Sequence, residues 1–210
     1  MKKILIYGSG FFDVVKLIEA INRASATWEI LGFLDDTPGL KGKKLNGYPV
    51  LGGRELLAEH CKHGEVHIFN NVNGTREGCR GVASLLRSCR CPVPTLVHPA
   101  VDLNYVRLGD GCIVPEGCVL GANVALGDFV TLRYGGIVSH EVAIGDFTLL
   151  GPGAVVGGRS TIKENCVIGA GSTVLTGITV DANSTVGAGA VVIQDVPAGK
   201  TVAGIPAKEV

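Results

Sequence analysis

Two parts of this 210-residue sequence hold residue types that can do chemistry. The first is Ser139-His140-Glu141. An imidazole titrates near neutral pH, so His140 can take a proton from an attacking amine or hydroxyl. Glu141 can orient that ring or stabilise its charged form, unless the adjacent side chains point apart. The competing assignment for His140 is a solvated turn histidine. The second part comprises Gly8-Ser9-Gly10, Asp35-Asp36 and Asn70-Asn71. A Gly-rich turn lets backbone N–H groups approach a phosphate at a helix start, and an acidic pair can accept hydrogen bonds from a ribose or a base. Asp13 stands where the third glycine of a dinucleotide fingerprint would be, which argues against NAD. The alternative is a purely structural α/β cap.

Other clusters carry less. Cys89-Arg90-Cys91 and His60-Cys61-Lys62-His63 hold metal-ligand residue types, but neither has a second ligand pair at zinc-finger spacing. No metal is expected. His60, His63 and His67 suggest no triad.

The element that must position His140 is a repeat. From Leu108, every sixth residue to Val192 is Leu, Ile or Val, fifteen positions without an exception. Gly often follows that residue (Gly109, Gly121, Gly127, Gly145, Gly151, Gly157, Gly169). A small residue often stands four places on (Cys112, Cys118, Ala154, Ser160, Cys166, Ser172). This period fits a prism of short strands with the aliphatic residue inward and Gly, Asn or Asp in the bends. Three hexads make one coil, so fifteen make about five, each covering its neighbour. The three cysteines at the small position read as interior packing. No insertion interrupts the repeat, and His140 is its only histidine.

Residues 1–95 read differently. Strands are expected at Ile4–Tyr7, Glu29–Leu34 and Val66–Asn70. Helices are expected at about Phe12–Arg23, Arg54–His60 and Thr75–Arg87, with a turn-rich connection between Pro38 and Pro49. Strands alternating with helices imply a small parallel α/β sheet. Such sheets bind ligands at the carboxyl ends of their strands, where the two Gly/Asp/Asn clusters fall. The domains are therefore 1–95, Rossmann-like, and 96–210, a parallel β-helix with a C-terminal tail.

Composition narrows the function classes. Nineteen basic residues balance nineteen acidic ones, so no basic face points to nucleic acid. Mean hydropathy is +0.35, yet no apolar run approaches the ~18–20 residues that span a bilayer. The apolar start is too short for a signal peptide and reads as a strand. Seven cysteines with no secretory signal lead to an expectation of reduced thiols in the cytoplasm rather than a disulfide framework.

Together, Ile6-Tyr7-Gly8-Ser9-Gly10, Gly32-Phe33-Leu34-Asp35-Asp36, Leu96-Val97-His98-Pro99, the stretch from Ser139 to Phe147 and Ala203-Gly204-Ile205-Pro206-Ala207-Lys208 resemble one family over nearly the whole chain. It is the bacterial nucleotide-amino-sugar acetyltransferases, with relatives of the sialic acid O-acetyltransferase type. The resemblance implies a left-handed β-helix, a homotrimer, and acetyl-CoA lying between neighbouring β-helices. It implies a sugar nucleotide on the α/β domain, with the acceptor amine reaching a catalytic histidine that matches His140. It also implies an oxyanion donor at the Gly158 N–H, and backbone lining the CoA pantetheine at Ala170 and Ala188. Nucleotide contacts are implied at Gly10, Asp35 and Asp36. Charge alone suggests Lys208 for a CoA phosphate. The chain departs from the family pattern at Gly10-Phe11-Phe12-Asp13. It departs again at Asn71, at Leu149 in place of a second histidine, and at Arg133 where relatives often have Asn near the catalytic histidine. The resemblance implies N-acetylation of a nucleotide-linked amino sugar and leaves open O-acetylation of a sugar hydroxyl, or a non-catalytic binding protein.

Overall fold

A computed structural model describes every residue except His63, Asn73, Gly74 and Thr75, together with the backbone but not the side chain of Arg76. His63 of the His60–His63 cluster and the expected helix start at Thr75 therefore fall outside the described residues. The chain divides into two compact units, Met1–Pro94 and Thr95–Val210.

In the first unit, alternation of apolar segments with Gly-rich turns gives β1 (Lys2–Tyr7), α1 (Asp13–Ala24), β2 (Trp28–Leu34), β3 (Lys44–Leu45), β4 (Tyr48–Gly52), α2 (Leu57–Cys61), β5 (Val66–Asn70) and α3 (Arg76–Ser88). A 3₁₀ turn over Arg54–Leu56 begins the segment expected as one helix. The sheet order is β3-β4-β2-β1-β5. All pairs are parallel except the β3–β4 hairpin. Ile4, Leu5, Ile6, Phe33 and Ile68 are fully buried. They lie on the neighbouring strands β2, β1 and β5, where buried parallel strands require a continuous apolar run. The region between Pro38 and Pro49, expected as connection, thus contributes a hairpin whose second strand pairs Val50 with Phe33.

The second unit is a left-handed parallel β-helix. Among the described residues, fifteen two-residue strands run from Arg107–Leu108 to Val191–Val192. They pair at an offset of 18 residues, as in Ala125 with Ala143 and Ile137 with Val155, so three hexads make a coil. The inward aliphatic residues from Val114 to Val192 are buried. Where glycine follows, it has a spatial cause: a β-carbon on Gly145 would lie 2.5 Å from Glu164 N, one coil on. Close approach of successive coils, more than bend geometry, selects glycine there.

The small position also proves to be a donor position. Cys112 Sγ donates to Gly127 O at 3.0 Å, Ser160 Oγ to Leu175 O at 2.9 Å and Cys166 Sγ to Asp181 O at 3.1 Å. Each reaches a bend carbonyl fifteen residues ahead, which gives the buried donor its partner. Burial raises the Cys112 thiol to about 11, with Asp128 adding to the rise. It raises Cys118 to about 11 as well, so these side chains stay protonated donors. After Val192 the pattern shortens into a hairpin that pairs Ala203 with Lys208.

One expectation is corrected. Cys61 and Cys91 form a disulfide, with Cα atoms 4.8 Å apart. Thirty residues separate them in sequence, but Cys61 ends α2 and Cys91 follows α3. Both pack against Leu57, Val66 and Leu86 in the first unit's core, and that packing brings the sulfur atoms together. The other five cysteines are free.

Candidate active site

His140 and Glu141 sit at the prism edge that follows strand Ile137–Val138. The third residue of each bend on this edge is left-handed: Asn123, Glu141, Arg159 and Gly177 all have φ between 59° and 76°. For Glu141 and Arg159 that conformation costs about 1–2 kcal/mol each. The coil register fixes them there and stacks one above the other. Glu141 Oε1 lies 3.3 Å from His140 Nδ1, and Arg159 Nε donates to Glu141 Oε2 at 3.4 Å. The adjacent side chains therefore converge rather than diverge.

His140 is half exposed, at 49%. Its ring lies against Gly158 of the next coil: a β-carbon there would be 2.7 Å from His140 Nε2. Gly158 is buried. Its carbonyl accepts from Gly177 N at 2.9 Å, while among the described residues its N–H donates to no acceptor. The edge thus combines a histidine with a carboxylate at one ring nitrogen and an unsatisfied backbone donor beside the ring.

Arg133, Ala170 and Ala188 stand on a different edge, the one following strands Thr131–Leu132, Val167–Ile168 and Thr185–Val186. Ala170 and Ala188 are exposed, and among the described residues their N–H groups meet no acceptor. Arg133 N bonds Leu150 O at 2.9 Å. Within one chain these residues do not share an edge with His140. Lys208 is exposed on the terminal hairpin. His98 Nδ1 accepts from Ala100 N at 3.3 Å, an interaction within its own turn.

The strand ends of the first unit frame a cleft of about 660 Å³ lined by Gly8, Asp35, Asp36, Arg54 and one face of α3. Asp35 Oδ2 accepts from Ser9 N at 2.8 Å and from Ser9 Oγ at 2.5 Å, while Oδ1 accepts from Thr37 N at 2.8 Å. Burial pushes this carboxyl upward, but the bonds from Ser9 and Thr37 outweigh it and hold the group below its ordinary range. Asp36 Oδ2 accepts from Tyr7 OH at 2.5 Å, Arg54 Nε at 3.0 Å and Arg54 Nη2 at 2.7 Å, while Oδ1 accepts from Arg54 N at 2.8 Å. Burial again opposes, and the bonds from Arg54 and Tyr7 bring Asp36 down to about 2. Asn71 is 2% exposed, and its amide donates to Gly8 O and Phe11 O, both at 2.9 Å. That amide shapes the first loop. Gly10 is exposed. Phe12 precedes α1 with no side-chain cap, so the first N–H groups of that helix are open to an anion.

Comparison with known proteins fits both halves. Residues 3–72 match the family described as PglD N-terminal domain, and residues 141–176 and 159–194 match bacterial transferase hexapeptide (six repeats). The acetyltransferase domain of PglB from Neisseria gonorrhoeae, solved with acetyl coenzyme A, is 29% identical, with 100% of this chain and 99% of that one covered and a TM-score of 0.88. GDP-perosamine N-acetyl transferase from Caulobacter crescentus, solved with CoA and GDP-perosamine, is 28% identical over 99% and 96%, with a TM-score of 0.88. Both halves thus resemble the hexapeptide-repeat sugar acetyltransferases. WeeI from Acinetobacter baumannii is also similar, at 25% identity over 99% of both chains and a TM-score of 0.84. No curated protein sequence matches.

Two residues at these sites escape a reading of the sequence alone. Arg54 and Arg159 are single arginines without a motif. Arg54 meets Asp36 only because β4 lies beside β2. Arg159 meets Glu141 only through the 18-residue coil offset, and the period itself was the one signal for that pairing. Among the described residues no group of three or more His, Cys, Asp or Glu is placed to hold a metal ion, and no helix is long and apolar enough to cross a membrane.

Proposed function

We propose that the chain transfers an acetyl group from acetyl-CoA to the amino group of a nucleotide-linked amino sugar. The observation that carries this reading is His140, whose ring lies against Gly158 and whose Nδ1 faces Glu141. A carboxylate at Nδ1 favours the tautomer with Nε2 unprotonated. Nε2 then takes the proton as the amine nitrogen attacks the thioester carbon. The C–N bond forms, the C–S bond breaks, and the proton passes to the departing CoA thiolate. The Gly158 N–H is the donor for the oxyanion, a contribution that in such sites is worth about 3–4 kcal/mol. The Caulobacter relative was solved with GDP-perosamine and CoA bound, and the Neisseria domain with acetyl coenzyme A. In this chain Ala170 and Ala188 offer backbone N–H groups to the pantetheine, and Lys208 offers a cation to a CoA phosphate. Gly8, Ser9, Gly10, Asp35 and Asp36 frame the nucleotide site, and Asn71 holds its first loop.

The assembly that fits is a homotrimer. His140 and the alanine pair occupy different edges of one prism, so a CoA groove that uses both needs a second copy. Val119 and Ile137, outward on one sheet, are 56% and 40% exposed, and Leu175 and Ile193 on the adjoining edge are 44% exposed each. Apolar side chains on one side of the prism suit burial against a copy. Arg133 then faces the site from its own edge. A cytoplasmic location follows from the substrates, both of them cytoplasmic metabolites in such chemistry. The test is thiol release from acetyl-CoA against a panel of nucleotide amino sugars and their hydroxyl counterparts. Turnover confined to the amino sugars supports the proposal, and turnover confined to hydroxyl acceptors assigns O-acetylation instead.

A further inference from the structure

The cleft in the first unit has a rim that its acidic pair does not control. A carboxylate offers about four acceptor positions, and Asp36 already receives four donors, three of them from Arg54 and one from Tyr7. Asp36 therefore has little capacity left for a ligand's N–H. Arg54 spends two of its five side-chain N–H donors on Asp36 and has 69% of its side chain exposed, against 33% for Asp36. At this rim, the cleft presents donors.

Position in the sheet says which part of a nucleotide meets them. Gly8 follows β1, Asp35 follows β2 and Arg54 follows β4, and the strand order is β4-β2-β1. The open start of α1, which suits a diphosphate, belongs to the β1 end. Arg54 lies two strand spacings away, about 10 Å at roughly 4.8 Å each, the reach of a nucleoside from its phosphate to its base. The opposite wall suits a flat ring: Val82 and Leu85 of α3 line the cleft, and a β-carbon on Gly81 would meet open space.

We propose that Arg54 reads the base of the nucleotide, so that the cleft selects bases with a carbonyl oxygen at the position read (O4 of uracil or thymine, O6 of guanine) over those with an amino group there (cytosine, adenine). This rests on the cleft being the nucleotide site. A guanidinium donates to O4 of uracil or thymine, or to O6 and N7 of guanine together, and is left facing N–H donors by the amino group of cytosine or adenine.

Calorimetric titration of the full chain with UDP, CDP, GDP and ADP tests it. The unmodified chain is expected to bind UDP over CDP, and GDP over ADP, by about ten-fold or more. Arg54→Ala is expected to shrink both ratios to about two-fold, with a retained cooperative thermal transition showing that it folds. Equal weakening of all four nucleotides in Arg54→Ala would overturn the inference by making Arg54 a phosphate contact. So would the absence of discrimination in the unmodified chain, which needs no variant. Failure of all four to bind the unmodified chain would instead remove the nucleotide reading of the cleft, and the inference with it.

Discussion

At the scale of single residues, His140 is held by three neighbours with different jobs. Glu141 sits at Nδ1, Gly158 leaves room beneath the ring, and Arg159 braces the carboxylate. Gly158→Ala separates fold from function here. Its new methyl would collide with the imidazole, a movable side chain, so the chain should fold while kcat falls by about ten-fold or more as the base is displaced. Steady-state kinetics beside a denaturation curve checks both halves. Gly145→Ala is the contrast, because the added carbon would meet the immovable backbone at Glu164. It should cost stability. In the front unit, Asp36 is depressed to about 2. A carboxyl lowered on folding stabilises the fold above its unfolded pKa, and that contribution is lost as pH falls through the folded value. Stability from Asp36 should be complete above about pH 4 and fade toward pH 2. The Arg54–Asp36 pair is largely exposed, so the effect should be about 1 kcal/mol or less. Denaturant titrations of Asp36→Asn should show a flatter acid limb than the unmodified chain.

At the scale of elements, the sequence reveals periods better than partners. The fifteen aliphatic positions were legible because each must point inward, and the structure buries those from Val114 on. The small position was legible as small but not as a donor, since Cys and Ser look unrelated until both are seen reaching a carbonyl one coil on. β4 escaped detection because Gly47, Pro49 and Gly52 punctuate it. Pro49 is tolerated near the edge of the sheet, where the partner of β4 on one side is only the two-residue β3. The disulfide was hidden for a different reason: local spacing said nothing about α2 and α3 converging on β5. Reduction with dithiothreitol should lower the stability of the Met1–Pro94 unit by about 2–4 kcal/mol and leave the β-helix transition in place. A scan that follows the two units separately measures this, and thiol titration of the oxidised, unfolded chain should find the five free cysteines.

At the scale of the whole molecule, the two units divide the task. The repeat has no insertion from Leu108 to Val192, so its catalytic groups come from the coils themselves. On the proposed function, the choice of acceptor belongs to the front unit. The candidate site was legible in part. His140 and the Gly/Asp strand ends are marked by residue type, whereas Arg54 and Arg159 become partners only through sheet order and coil offset. Because His140 and Ala170 stand on different edges of the prism, assembly should be a condition of activity. Sedimentation equilibrium should return three times the 21.7 kDa chain mass. A charged substitution at the exposed Ile137 should dissociate the assembly and abolish transfer together. The most direct test of the central claim is the turnover of His140→Ala on the best nucleotide amino sugar acceptor, measured by thiol release with acetyl-CoA saturating. The account predicts a loss of about 10²–10⁴ in kcat with the acceptor still bound, and full activity in that variant would contradict it.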